Sequence, residues 1–176
     1  MDPSWHTFAV QSDGREELVD IVDFDDRIID TVSRAVMRRD VLRHRAVFIL
    51  VRDGKGRVLI HRRSDAKDLW PGWWDIAVGG VVAAGESYDE AARRELFEEA
   101  GIAAEPVLVS SGAYEDTDVS LIARCYEVRH DGAVEARDGE VAEFRWVSVA
   151  ELRDLVSRER FLPDSLALLG PGLFGG

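Results

Sequence analysis

The chain has 176 residues, the commonest size for a single domain, and its 46 % hydrophobic and 32 % charged residues are the balance of an ordinary globular protein. A formal charge of −12 repels polyanions and argues against sequence-independent binding to DNA or RNA. The strongest apolar run, Ala46 to Val51, is far too short to span a bilayer, and the start, Met1-Asp2-Pro3-Ser4-Trp5-His6, lacks the pattern of a secretion signal. A lone Cys125 forms no intramolecular disulfide and builds no zinc site by itself. These features lead us to expect a cytoplasmic, membrane-free protein.

Residues 1–16 are weakly patterned and are expected to form a flexible arm. With no repeat or Pro/Gly-rich linker, residues 17–176 are expected to form one domain. Leu18 to Val22 and Arg27 to Thr31 read as short strands around the turn-like Asp23-Phe24-Asp25-Asp26. Arg45 to Arg52 is a β-branched and aromatic strand, Asp53-Gly54-Lys55-Gly56 a hairpin turn, and Arg57 to Arg62 the return strand. After a loop through Trp70-Pro71-Gly72-Trp73-Trp74, a strand is expected near Asp75 to Val78. A helix follows over 88–100, opened by the Ser87/Glu90 capping box and closed at Gly101, with Ala92, Leu96 and Ala100 as an apolar stripe. Strands near 106–114, 119–129 and Val141 to Val147 follow, with helices at Ala150 to Ser157 and near 163–169. Strands flanking one marked helix predict an α/β sandwich around a mixed sheet.

The chemistry concentrates in residues 80–102. Glu95, Glu98 and Glu99 stand at i, i+3 and i+4, within about 100° on one helical face beside the apolar stripe. Three like charges so close call for a counter-ion, and hard divalent cations such as Mg²⁺ or Mn²⁺ take oxygen ligands. Arg94, four residues before Glu98, is suited to orient one carboxylate through a bidentate bond. Gly79-Gly80 allows close backbone approach and offers a carbonyl to the metal, with Gly79 as the expected donor. The bland alternative is a solvated acidic helix face. The full pattern weighs against it: Gly80, Glu86, Arg94, Glu95, Glu98, Glu99 and Gly101, with apolar Leu96 and Ile102, arise together by chance in far fewer than about one chain in a million.

This segment resembles the Nudix box, the signature of hydrolases acting on nucleoside diphosphates linked to another group. The resemblance implies an α/β/α sandwich and a divalent metal, Mg²⁺ or in its place Mn²⁺. It further implies Glu95, Glu98 and Glu99 as metal ligands, one of them also the base that deprotonates water. Glu86 would support the loop, the outer metal shell or the substrate. Glu140-x-x-Glu143-x-x-Trp146 resembles the stretch that often supplies an accessory glutamate in this family; Glu143 is the candidate catalytic residue and Glu140 the other choice, with a charged turn beside a strand as the bland alternative for either.

Arg63-Ser64-Asp65-Ala66-Lys67 and Trp70-Pro71-Gly72-x-Trp74 resemble the same region of isopentenyl-diphosphate isomerase, a Nudix-fold enzyme. That likeness implies a diphosphate clamp by Arg63 and Lys67, a forked guanidinium and a mobile point charge. The likeness then breaks. The isomerase's catalytic cysteine aligns with Gly79 and a metal-binding histidine with Val81. His44 falls on a metal-ligating histidine of that enzyme, although a lone histidine before a strand is more often structural. Cys125 is expected in the core. Of Trp70, Trp73 and Trp74, at least one is expected to be buried and one to edge the pocket, with Trp74 as the candidate substrate contact.

The reading is thus a hydrolase of a small diphosphate. An isomerase of allylic diphosphates and a non-catalytic nucleotide-binding module are the alternatives. A homodimer through the N-terminal strands is a further expectation. The loops that set the substrate, residues 64–74, 114–118 and 130–140, carry no motif that names it.

Overall fold

The computed structural model describes residues 17–175, so the expected arm at 1–16 lies outside the described residues. Strands β1 (Leu18–Val22) and β2 (Ile28–Ser33) form an antiparallel hairpin with Leu18 opposite Ser33. Its turn is closed by Asp23, whose carboxylate accepts the Asp25 and Arg27 N–H groups at 2.9 Å each. The chain then enters α1 (Arg34–Arg39), a helix that the sequence pattern does not announce. Its 6 residues make under two turns, too few for an apolar period to show; only the Ser33 hydroxyl, accepting from the Val36 N–H at 3.3 Å, marks its start.

The central hairpin is β3 (His44–Arg52) and β4 (Val58–Arg63), joined where Asp53 accepts the Lys55 and Arg57 N–H groups at 3.0 and 2.8 Å. The single strand expected near 75–78 is split into β5 (Trp74–Asp75) and β6 (Val78–Val81). The Asp75 carboxylate accepts the Ala77 N–H at 3.1 Å and turns the chain between them. Helix α2 (Tyr88–Ala100) has both halves of the Ser87/Glu90 capping box and ends at Gly101 with φ 69°, as the sequence predicts. Strands β7 (Val107–Glu115), β8 (Ser120–Arg129) and β9 (Val141–Val147) and helices α3 (Val149–Val156) and α4 (Pro163–Phe174) complete the chain.

The sheet is mixed. β3 runs parallel to β8 and antiparallel to β6, β4 carries β5 and β9, and β7 flanks β8. Alternation along β3 explains why its whole run is apolar. Ala46, Phe48 and Leu50 face one core with Leu152 of α3 and Leu169 and Leu173 of α4. Val47, Ile49 and Val51 face a second core with Ala91, Ala92, Leu96 and Ala100 of α2. A strand covered by helices on both faces has no solvent side on which to place polar residues, and each such side chain contributes about 1.5–3 kcal/mol by burial. The result is the three-layered α/β sandwich, with α2 held firmly against β3 and β6.

Candidate active site

The second core sets the height of α2 over the sheet, and that height buries the carboxylates of the box more deeply than a rim position would. Glu95 is 8 % exposed and Glu99 only 2 %. The Gly79 N–H donates to Glu99 Oε2 at 3.0 Å. Gly79 is demanded by the backbone around it, and Gly80 by the present position of the Glu95 carboxylate. A Cβ on Gly79 would lie 2.0 Å from the Val47 carbonyl oxygen, and one on Gly80 would lie 2.6 Å from Glu95 Oε1. β6 therefore passes under α2 as bare backbone.

Arg94 ties this half of the site together. Its bidentate fork goes to Glu86 rather than to a carboxylate of the helix face: Nε donates to Oε1 at 2.8 Å and Nη2 to Oε2 at 2.9 Å. Nη1 donates to Glu95 at 2.6 Å and Glu98 at 3.2 Å, and Nη2 also reaches the Val81 carbonyl at 3.2 Å. Glu86 further accepts the Ala83 N–H at 3.0 Å, so both of its oxygens are engaged in holding loop and helix together. Although burial works against the charge, the Glu86 bonds and the Glu95 charge raise the Arg94 pKa. Burial pushes Glu95 up, aided by the Glu99 charge and opposed by Arg94. Glu99 is also pushed up by burial, against the pull of Lys67 and the Gly79 N–H.

The opposite wall comes from two loops. Lys67 Nζ stands 3.9 Å from Glu99 Oε1 and is paired with Glu140. The 130–140 loop is pinned to the end of α2, where the Glu135 and Arg137 N–H groups donate to the Ala100 and Glu98 carbonyls at 3.0 Å each. That docking brings Asp138 and Glu140 to Glu99: one oxygen of each lies within 4.8 Å of the others, a spacing that suits a metal ion. Asp138 is raised by burial, and Lys67 is lowered by burial against the pull of Glu99.

Other candidates separate. Glu143 sits on β9 opposite Arg62, with Arg62 at 3.6 Å and Arg145 donating at 2.8 Å. It is Glu140 that reaches the box. Trp74, the expected substrate contact, is 6 % exposed and stacks on Phe161 at 6.5 Å with the Arg145 guanidinium 4.6 Å away, so it is a core residue. Trp70 and Trp73 stack on each other at 6.3 Å and stay partly exposed. Arg63 ends β4, its Nε donating to the Leu69 carbonyl at 3.2 Å. His44 is buried with Nδ1 3.0 Å from the Leu42 carbonyl, a core histidine, and Cys125 is buried in the first core. Asp138 was missed by sequence reasoning; its only signal was the acidic Asp138-Gly139-Glu140 stretch, and a loop contact has no period to read.

The site is thus a mixed sheet between helices, with buried glutamates of one helix facing a loop acid and a lysine. The NUDIX domain family model matches residues 42–165. The chain is 41 % identical over 155 residues to an uncharacterised Nudix hydrolase of Streptomyces coelicolor, covering 86 % of each. It is 39 % identical over 154 residues to the uncharacterised Nudix hydrolase YfcD of Escherichia coli K12, covering 87 % of this chain and 84 % of that one. The crystal structure of DR0079 from Deinococcus radiodurans superposes with a TM-score of 0.71 at 27 % identity, over 84 % of this chain and 94 % of the other. The chain belongs to the Nudix hydrolase family, whose members generally use a divalent metal such as Mg²⁺ to hydrolyse nucleoside diphosphate derivatives. No helix among the described residues is long and apolar enough to cross a membrane.

Proposed function

We propose that this protein hydrolyses the diphosphate linkage of a nucleoside diphosphate derivative or a related small diphosphate, with Mg²⁺ as its cofactor. The observation that carries this reading is the convergence of buried Glu99 with Asp138 and Glu140 of a docked loop, beside buried Glu95 of the same helix. Buried carboxylates with raised proton affinity are costly to ionise, and the nearby cations, Arg94 on Glu95 and Lys67 at Glu99, are too few to balance them. The donor set is all hard oxygen, which fits Mg²⁺ or Mn²⁺. Glu95, Glu98 and Glu99 would hold the ion, with the Gly79 carbonyl as a further donor. Bound there, it would neutralise phosphate oxygens and acidify a coordinated water.

The remaining work falls to the chain. Arg63 and Lys67 hold phosphate oxygens. Arg94 keeps Glu95 and Glu98 aimed through its bonds and leaves Glu86 as a structural anchor. Glu98, the most exposed of the three box carboxylates, accepts the proton of the attacking water as the oxygen–phosphorus bond forms and the bridging bond breaks. Glu140 takes the accessory place that the sequence pattern assigned to Glu143. An isomerase would need an acid–base side chain at position 79, where a Cβ would collide with Val47.

A panel of nucleoside diphosphate derivatives, assayed for phosphate or nucleoside monophosphate release with and without Mg²⁺, tests the proposal. Release should require the metal and fall by about a hundredfold or more in Glu99→Gln. An unchanged rate in that variant would remove the assigned site.

A further inference from the structure

Lys67 is one of only two lysines in the chain; the other, Lys55, lies exposed in the β3–β4 turn. The Lys67 side chain is 13 % exposed, so its ammonium must find acceptors inside the protein. It finds them among the carboxylates of the site: Nζ is bonded to Glu140 Oε2 and stands 3.9 Å from Glu99 Oε1. The backbone supports that arrangement. The Lys67 N–H donates to the Ser64 carbonyl at 3.3 Å, and the Ser64 N–H donates to the Glu140 carbonyl at 2.9 Å. The turn that carries the lysine is thereby tied to the residue with which its side chain pairs.

These are the oxygens that a metal would take. Glu99 Oε2 already accepts the Gly79 N–H at 3.0 Å, so Oε1, the oxygen facing Lys67, is the one left over. Glu140 is grouped with Glu99 and Asp138, and its Oε2 is the Lys67 partner. An ammonium and a dication drawn to the same two oxygens would lie side by side, and like charges placed so close oppose binding strongly. A lysine is able to yield: its flexible four-carbon stem lets the ammonium swing away while the backbone stays docked. Arg94 has no such freedom, since its guanidinium is bonded to Glu86, Glu95 and Glu98 at once.

We propose that Lys67 is a built-in counter-ion of the metal site: its ammonium holds the cation place at Glu99 and Glu140 in the metal-free protein and gives it up when a divalent cation is bound. The inference rests on the metal-dependent reading above and adds an order to it. Lys67 becomes available to a phosphate oxygen only once it has left the carboxylates, so metal binding precedes productive binding of the diphosphate.

Metal binding itself is the readout, with no turnover involved. In Mn²⁺ titrations of the full chain followed by electron paramagnetic resonance, Lys67→Met, which keeps a long stem and removes the charge, should bind the ion about tenfold or more tightly than wild type. Lys67→Arg, which keeps the charge, should stay within about twofold of wild type. Adding Asp138→Asn to Lys67→Met should cancel the gain, which places it at the loop acids. In wild type, Mg²⁺ should speed acylation of Lys67 by an amine reagent several-fold, read by mass spectrometry, and leave that of Lys55 unchanged. The labelling needs no variant, so it decides the matter even if Lys67→Met fails to fold. Equal Mn²⁺ affinity in wild type and Lys67→Met, or Lys67 labelling indifferent to Mg²⁺, would overturn the proposal while leaving metal-dependent hydrolysis intact. Mn²⁺ binding to neither protein would take the metal-dependent reading down with it.

Discussion

Two arginines show how differently one side chain is used in this fold. Arg94 bonds Glu86, Glu95, Glu98 and the Val81 carbonyl. Among the described residues, Arg38 on α1 has a buried Nε with no partner. The Arg94 bonds fix Glu95 and Glu98 in place, although they leave the carboxylates of the helix in excess over the nearby cations. Around Arg38 the charges of Arg34 and Arg63 are opposed by those of Asp164 and Asp68. The carboxylate side is thus held by a dense hydrogen-bond network, which the Arg38 Nε lacks.

The largest effect that would test this contrast is on stability. Arg94→Ala leaves Glu86 and Glu95, whose side chains are 16 % and 11 % exposed, without their counter-charge. Breaking such a buried network costs about 3–5 kcal/mol, read as a lower denaturant midpoint. A loss near zero would mean that Arg94 is not the anchor its bonds suggest, and the contrast with Arg38 would collapse.

A somewhat smaller effect is read by pH. Burial first, and then the Arg38 charge, lower the His44 pKa from 6.5 to about 4. A group with a depressed folded pKa binds its proton only on unfolding. Its contribution is therefore present above pH 6.5 and lost as pH falls toward 4, amounting to about 3 kcal/mol at the acid end. Removing the neighbouring charge in Arg38→Gln should raise the His44 titration midpoint seen by NMR, whereas Arg94→Ala should leave it in place. If both variants moved it equally, Arg38 would not be the charge that His44 feels.

The smallest effect separates two glutamates on the accessory side. Glu140→Gln should lower Mg²⁺-dependent turnover about tenfold or more, because its carboxylate stands with Asp138 at Glu99. Glu143→Gln should stay within about twofold, since its partners Arg62 and Arg145 form a partly exposed pairing of small energetic weight. The reverse ranking would return the accessory role to Glu143.

Much of this was legible in the sequence because it is local. The capping box at Ser87 and Glu90, the stop at Gly101 and the apolar stripe of Ala92, Leu96 and Ala100 are all readable within one helix, and α2 has the bounds they predict. Strand β1 and strand β9 likewise have their expected limits, since alternation and turn residues are short-range signals. The readings that moved depended on distant contacts. Trp74 looked like a pocket residue because it sits in a loop-like, tryptophan-rich stretch, but its ring packs on Phe161, 87 positions away, which no local pattern reports. Arg94 was expected to fork onto a carboxylate of its own helix; the fork closed instead on Glu86, eight residues earlier, across the loop before α2.

By itself, then, the order of residues determined that Glu95, Glu98 and Glu99 share a helical face, that Gly79 and Gly80 leave room beneath it, and to which family the chain would belong. Only the folded sheet decided how deep those carboxylates lie, which acid of the 138–143 stretch joins them, and that the Arg38 Nε is buried without a partner among the described residues. The reason is physical. Helical spacing and steric bulk are properties of a short stretch of chain, whereas burial and electrostatic balance are sums over atoms that come together only when β3, β6, α1 and the 130–140 loop pack around one another.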